Sequence, residues 1–221
     1  MKQYPEIYYY GSYWGLPITA FNKLDGSNLR FEYSQKRGFY KFGTRGILID
    51  KFNDPYGFAI DLFLNKYVDN LTKIFKSKDY RDVLSFVCFA ELYGTKSEFG
   101  QHEFKNDKFD ITLFDVEQYK RGLIHPRQFV KDFEKVGIPN VVYVGNLNQI
   151  FVNKVKNNYF DFHLKEGVVC KGTIVNKKEN NLYYCKIKTN EWFEKLRTRR
   201  PDLYLEETKQ MAKETIKESS S

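Results

Sequence analysis

Short runs in which apolar side chains alternate with polar ones constrain this chain more than any other feature. They fall at residues 18–23, 28–34, 39–42, 84–92, 110–116, 168–172 and 182–189. A period of two matches the pleat of a strand. The β-branched and aromatic content of these runs, bounded by Gly, Asn and Asp, predicts strands. Elsewhere the spacing changes. Residues 56–78 carry Phe58, Ala59, Leu62, Phe63, Val68, Leu71, Ile74 and Phe75 at helical intervals. A second helix is expected over 126–136, with Pro126 in its first turn and Gly137 just past its end. A shorter one is expected over 148–155, and two more over 190–198 and 206–218, separated by Pro201. The polar stretch 176–181 reads as a hairpin turn, and the serines 219–221 as a frayed tail. Strands and helices mix without a regular βαβ repeat, so the expected class is α+β with mainly antiparallel sheets.

Composition narrows the function classes. A chain of 221 residues suits one domain with at most a small appendage, and 42% hydrophobic with 18% aromatic residues is enough for a packed core. The net charge of +8 favours an anionic partner, nucleic acid before membrane, although ordinary solubility charge gives the same balance. Cys88, Cys170 and Cys185 cannot all pair and show no metal-ligand spacing. Their apolar surroundings predict buried free thiols in a reducing compartment. The aromatic and polar start of the chain has no signal-peptide run, and no stretch reaches membrane-spanning length. A soluble, cytoplasmic monomer is expected.

The chemistry sits in short motifs. Lys23 ends a predicted strand, and Asp25-Gly26 form a tight turn after it. Glycine there permits close backbone approach to a ligand. A lysine nucleophile must lose its proton near neutral pH, against a reference pKa of about 10.4. Nearby cations and a metal ion favour that loss. Further on come Lys41-Phe42-Gly43-Thr44-Arg45-Gly46, Phe89-Ala90-Glu91-Leu92-Tyr93-Gly94, the apolar segment around Phe114, Glu166-Gly167-Val168-Val169 and Lys186-Ile187-Lys188. Lys186 and Lys188 alternate along a strand and so face the same side. Two ammonium groups on one face repel unless an anion lies between them.

In this order, from Lys23 to Lys188, the motifs resemble those of the covalent nucleotidyltransferases: ATP-dependent DNA ligases, RNA ligases and mRNA capping enzymes. The chain resembles a minimal phage-type RNA ligase. The resemblance implies an ATP-grasp-like nucleotidyltransferase domain over 1–189, with antiparallel sheets flanked by helices. It implies a short helical C-terminal extension over 190–221. Residues 189–221 are too few for the OB domain that follows this domain in DNA ligases and capping enzymes. Residues 1–22 leave no room for the extra N-terminal domain of NAD⁺-dependent ligases, so ATP and Mg²⁺ are the expected cofactors.

By the same resemblance Lys23 takes the AMP in a phosphoramidate bond, and Lys186 and Lys188 contact the α-phosphate. Arg45 matches a downstream arginine that contacts ribose or a 5′-phosphate, with Arg30 a second candidate. Glu91 accepts a hydrogen bond from the ATP ribose, Phe114 stacks on adenine, and Glu166 binds Mg²⁺. Asn28 completes Lys-Leu-Asp-Gly-Ser-Asn, similar to the KxHGxN form of one phage RNA ligase family, except that Asp25 stands where His is common. That difference leans toward DNA-ligase-like or other RNA-ligase branches. The implied partner is RNA or DNA bearing 5′-phosphate and 3′-hydroxyl ends. The implied function is that of an ATP-dependent polynucleotide ligase, which forms a lysyl-AMP intermediate, adenylylates a 5′-phosphate and joins it to a 3′-hydroxyl on RNA or RNA-containing strands; a DNA nick ligase and a catalytically silent nucleic-acid-binding domain are the alternatives. The basic cluster Arg197, Arg199 and Arg200 offers phosphate contacts or a solvated helix face equally well.

Overall fold

The computed structural model describes residues 1–52, 56–94, 109–175 and 180–215. In chain order the strands are β1 (Tyr8–Tyr9), β2 (Pro17–Lys23), β3 (Ser27–Ser34), β4 (Gly38–Thr44), β5 (Leu48–Ile49), β6 (Ser85–Tyr93), β7 (Asp110–Gln118), β8 (Gly122–Leu123), β9 (Val141–Asn146), β10 (Gly167–Val175) and β11 (Asn180–Lys188). The helices are α1 (Phe58–Phe75), α2 (Pro126–Gly137), α3 (Gln149–Lys156), α4 (Asn190–Arg199) and α5 (Pro201–Thr215). The class is α+β, and every strand pair is antiparallel except β1 with β11. Two compact units share the chain: Met1–Pro5 with Asp25–Pro139, and Glu6–Leu24 with Asn140–Ser221.

The first unit is a six-stranded sheet in the order β5-β4-β3-β6-β7-β8. Alternation sends Leu29, Phe31 and Tyr33 to one face, with Phe86, Cys88 and Ala90 beside them, all buried. The apolar stripe of α1 covers this face. Phe63 stacks on Phe31 at 3.7 Å, and Phe75 on Phe86 at 4.0 Å. The buried Tyr67 hydroxyl accepts from the Leu113 amide and shares its one proton between the carbonyls of Gly137 at 3.0 Å and Ile111 at 3.2 Å, so its polar end is satisfied. Helix α2 starts as the sequence indicates: Pro126 opens it and the His125 ring nitrogen accepts from the Arg127 amide.

The opposite face is polar at Asn28 and Glu91, and the segment 1–5 lies against part of it. Arg30 donates to the carbonyls of Met1, Lys2 and Thr44, and the Tyr4 hydroxyl donates to Asp115 at 2.8 Å.

The second unit is a five-stranded sheet in the order β1-β11-β10-β2-β9. Its core face carries Ile18, Ala20, Val168, Cys170, Cys185 and Ile187, packed under Phe151, Val152 and Val155 of α3. Asn148 caps α3, its side chain accepting from the Phe151 amide at 2.8 Å. Thr189 caps α4 in the same way through the Trp192 amide. All three cysteines are free and buried, and burial pushes the Cys88 and Cys170 thiols up.

The expected helix 56–78 is shorter at both ends, and the helix expected from 206 begins at Pro201, where proline suits a first turn. Strand β9 is new. Its run Val-Val-Tyr-Val-Gly-Asn lacks clean alternation because it lies at the sheet edge, with Val141 and Val144 exposed. The tail 219–221 and most of the expected turn 176–181 lie outside the described residues.

Gly167 is required where it stands. Its φ is +149°, and a Cβ there would lie 2.1 Å from the Ile187 carbonyl oxygen of β11. Gly167→Ala is therefore expected to cost about 1–3 kcal/mol of stability through backbone strain and strand separation. Urea unfolding of the two proteins side by side checks this, and equal midpoints would refute it.

Candidate active site

The face of the five-stranded sheet opposite its core collects the lysines. Register explains how. Gly167 of β10 is opposite Lys23 of β2 on one side and Lys188 of β11 on the other, and Val169 is opposite Phe21 and Lys186. Residues aligned across strands point the same way, and those two apart along a strand do too. Lys23, Lys186 and Lys188, far apart in sequence, therefore share one face.

Glu166, directly before β10, lies between two of them. Its Oε2 accepts from Lys23 Nζ at 2.7 Å, and its Oε1 is 3.1 Å from Lys188 Nζ. The Glu166 and Lys188 side chains are only 4% and 5% exposed, whereas Lys23 retains 22%. Burial alone pushes the Glu166 carboxyl up, but the ammonium groups of Lys23 and Lys188 outweigh it and hold the carboxyl below its ordinary range. The Thr189 amide donates to the Glu166 carbonyl, which ties the end of β11 to the start of β10.

The row continues into α5. Glu207 places Oε1 3.2 Å from Lys188 Nζ and Oε2 3.3 Å from Lys186 Nζ. Lys186 also donates to Gln210 Oε1 at 3.2 Å, and the Tyr9 hydroxyl donates to Glu207. Lys23, Glu166, Lys188, Glu207 and Lys186 thus form a chain of alternating charge. Burial and the neighbouring Lys188 ammonium depress Lys186, with Glu207 acting the other way. The Lys188 ammonium sits 3.5 Å from the centroid of the Trp192 ring, and that of Lys186 4.6 Å from the Tyr9 ring.

The remaining candidates lie in the six-stranded unit. Asn28, Glu91 and Thr112 align across β3, β6 and β7 and form one polar row. The Asn28 Oδ1 is buried and finds no hydrogen-bond partner among the described residues. Phe114 falls at a register shift of β7 against β6, half-buried, with its ring against Tyr4 and Phe89. Arg45 is exposed in the turn between β4 and β5, where Thr44 Oγ1 accepts from the Gly46 and Ile47 amides. Arg30 is buried with its guanidinium committed to three backbone carbonyls, which assigns it to anchoring residues 1–2. Gly26 also differs from expectation: a Cβ there would lie 2.1 Å from the Leu92 carbonyl oxygen, so the close approach it permits is to β6.

Sequence reasoning missed two residues of the lysine face. Lys171 is buried on β10, 4.7 Å from the Phe21 ring centroid, and its alternation with Gly167 and Val169 was the available signal. Glu207 had only its helical spacing to announce it. Of the C-terminal arginines, Arg197 pairs with Glu194 and Arg200 with Asp202, all exposed.

Among the described residues no group of three or more His, Cys, Asp or Glu side chains gathers as a metal cage. Glu166 is the carboxylate beside Lys23, and its two oxygens are taken by the Lys23 and Lys188 ammonium groups; Mg²⁺ characteristically takes one or two carboxylates and completes its shell with substrate phosphates and water. No described helix is long and apolar enough to cross a membrane.

Comparison with known proteins bears on this arrangement. A family model described as RNA ligase matches residues 16–188. No curated protein matches the sequence. Among solved structures, Naegleria gruberi RNA ligase with PPi is 15% identical with a TM-score of 0.62, covering 90% of this chain and 59% of that one. A point mutant of the same ligase with ATP and Mn gives 14% identity and a TM-score of 0.62, covering 88% and 58%. The chain thus spans less than two thirds of the structures it resembles, and at this identity the likeness shows the fold. The family model extends from the start of β2 to the end of β11, across every motif described above: the chain belongs to the RNA ligase family.

Proposed function

We propose that this protein is an ATP-dependent polynucleotide ligase that works through a lysyl-AMP intermediate on RNA or RNA-containing strands. Residues 1–189 act as the adenylyltransferase part and 190–221 as a helical extension, in a monomer of the cytoplasm. One observation carries the reading. The lysine of the Lys-Leu-Asp-Gly turn, the glutamate of Glu-Gly-Val-Val and both lysines of Lys-Ile-Lys belong to one row of alternating charge on one sheet face. A silent binding domain has no need of that row.

In the first step the Lys23 amine, having lost a proton, attacks the α-phosphorus of ATP. A P–N bond forms and the bond to pyrophosphate breaks. Glu166 fixes the position of the amine beforehand, which removes much of the entropic barrier. Lys186 and Lys188 offset the charge that develops on the phosphate oxygens. Glu166 is the residue that would hold Mg²⁺, which would supply further neutralisation of that charge. Asn28 and Glu91 hold the nucleoside, the unpartnered Asn28 oxygen being suited to a donor on the ligand. Phe114 supports the adenine, and the exposed Arg45 guanidinium suits a 5′-phosphate. The second step passes AMP from Lys23 to the 5′-phosphate of the strand. In the third, a 3′-hydroxyl attacks that activated phosphate, AMP leaves and the strand is sealed. Asp25, common in DNA ligases at this position, keeps DNA nick sealing as the second reading.

Incubation with α-labelled ATP and Mg²⁺ should add one AMP to the protein, stable to alkali and labile to acid, and Lys23→Ala should remove the label in a chain that still folds, with a lowered unfolding midpoint because Glu166 keeps only Lys188 as an ammonium partner. Label retained by that variant would overturn the nucleophile assignment. Splinted RNA and DNA substrates then separate the two strand readings.

Glu166→Gln should slow adenylylation at saturating ATP by at least about a hundredfold, the scale on which loss of one electrostatic contact acts. The same variant tests the charge row by pH. Because the Glu166 carboxyl is depressed in the folded chain, its stabilisation is complete above the ordinary carboxylate range. It disappears as pH falls through the depressed value. The stability gap between wild type and Glu166→Gln should accordingly shrink in acid, and a gap constant from neutral pH to pH ~3 would contradict this.

Glu91→Ala should raise the ATP concentration needed for half-maximal adenylylation about tenfold, as expected for one lost hydrogen bond to a charged acceptor. An unchanged ATP dependence would remove Glu91 from the nucleotide site.

A further inference from the structure

We propose that Glu207 of α5 is a positioning residue that competes with the nucleotide: it holds Lys186 and Lys188 as a carboxylate counterpart of the triphosphate, and ATP binding displaces it. The inference rests on the ligase reading above.

The geometry is specific. Each carboxylate oxygen is committed to a different lysine, Oε1 to Lys188 and Oε2 to Lys186, and the Tyr9 hydroxyl adds a further donor. The ammonium groups are those that the ligase reading assigns to the α-phosphate. Lys188 is 5% exposed and its charge is already shared between Glu166 and Glu207, so phosphate oxygens cannot reach it without meeting a carboxylate. Like charges at that range repel strongly where water is scarce. A triphosphate carries more charge than one carboxylate and can outcompete it, but at a cost in affinity.

The element that carries Glu207 is suited to moving aside. Leu203, Tyr204, Glu207, Thr208, Gln210, Met211 and Glu214 recur at helical spacing, and all are half-buried; no described side chain of α5 is fully buried, and neither is any of α4. Its hydrogen bonds anchor it through polar groups, Glu214 accepting from the Tyr9 amide and from Gln210, and Gln210 accepting from Lys186, while Tyr204 packs edge-on against Phe193 of α4. Releasing a face with no fully buried side chain exposes less apolar surface than releasing a core helix, and elements held this way occupy the low end of local stability.

The test uses the full chain and measures ATP binding and the ATP dependence of adenylylation. Glu207→Gln removes the competing charge and keeps the shape. Its half-saturating ATP concentration should fall about tenfold, the gain appearing in apparent affinity rather than in saturating rate. Glu207→Asp, which keeps the charge, should return the value toward wild type. Gln210→Glu, which adds a carboxylate beside Lys186, should shift it the opposite way. A structural role alone predicts losses in every variant and no change of sign. Hydrogen exchange in residues 203–214 of the wild type should speed up on addition of ATP. If wild type binds ATP and Glu207→Gln binds it equally or more weakly, the competition is overturned and the ligase reading stands. If neither protein binds ATP or takes the label, both fall together.

Discussion

A carboxylate that is 4% exposed and bridges two ammonium groups is the interaction on which the rest of this molecule depends. Glu166 alone in that place would be costly, since desolvating an unpaired charge opposes folding by several kcal/mol (~). Lys23 and Lys188 alone would repel. Only the triad is stable, and it exists because three strands meet in register at Gly167, the one residue type that can lie so close to the Ile187 carbonyl. Backbone geometry and electrostatics thus impose the same requirement on adjacent residues.

Much of this was legible in the sequence, and the reason is periodicity. A period of two marks β2, β3, β6, β7, β10 and β11 with small errors at their ends, and by itself sets Lys186 and Lys188 on the same side of one strand. The helices were legible wherever an apolar stripe met a cap, as at Pro126 and Asn148. Strand β9 escaped because an edge strand need not alternate, and the two-residue strands escaped because they carry too few residues to show a period.

The site was legible only as a list of residue types. The sequence named Lys23, Glu166, Lys186 and Lys188, but nothing in it showed that Glu166 would bridge Lys23 and Lys188 or that the anion between Lys186 and Lys188 would come from α5. Such pairings span from Glu166 to Lys23 and from Glu207 to Lys186, and they follow from sheet order rather than from local pattern. Arg30 illustrates the reverse case. A guanidinium near a phosphate-binding motif looks functional in one dimension, yet in three it anchors the carbonyls of the first two residues.

The pairing of β10 with β11 has a consequence for how this family can vary. Lys186 and Lys188 face the charged row, while Cys185 and Ile187 face the core, and the two sets differ by a single step along the strand. Loss or gain of one residue within β11 would turn both lysines into the apolar interior and bring Ile187 to the charged face. Evolution is thereby restricted to length changes of even parity inside these strands, while the connection between them is subject to no such rule.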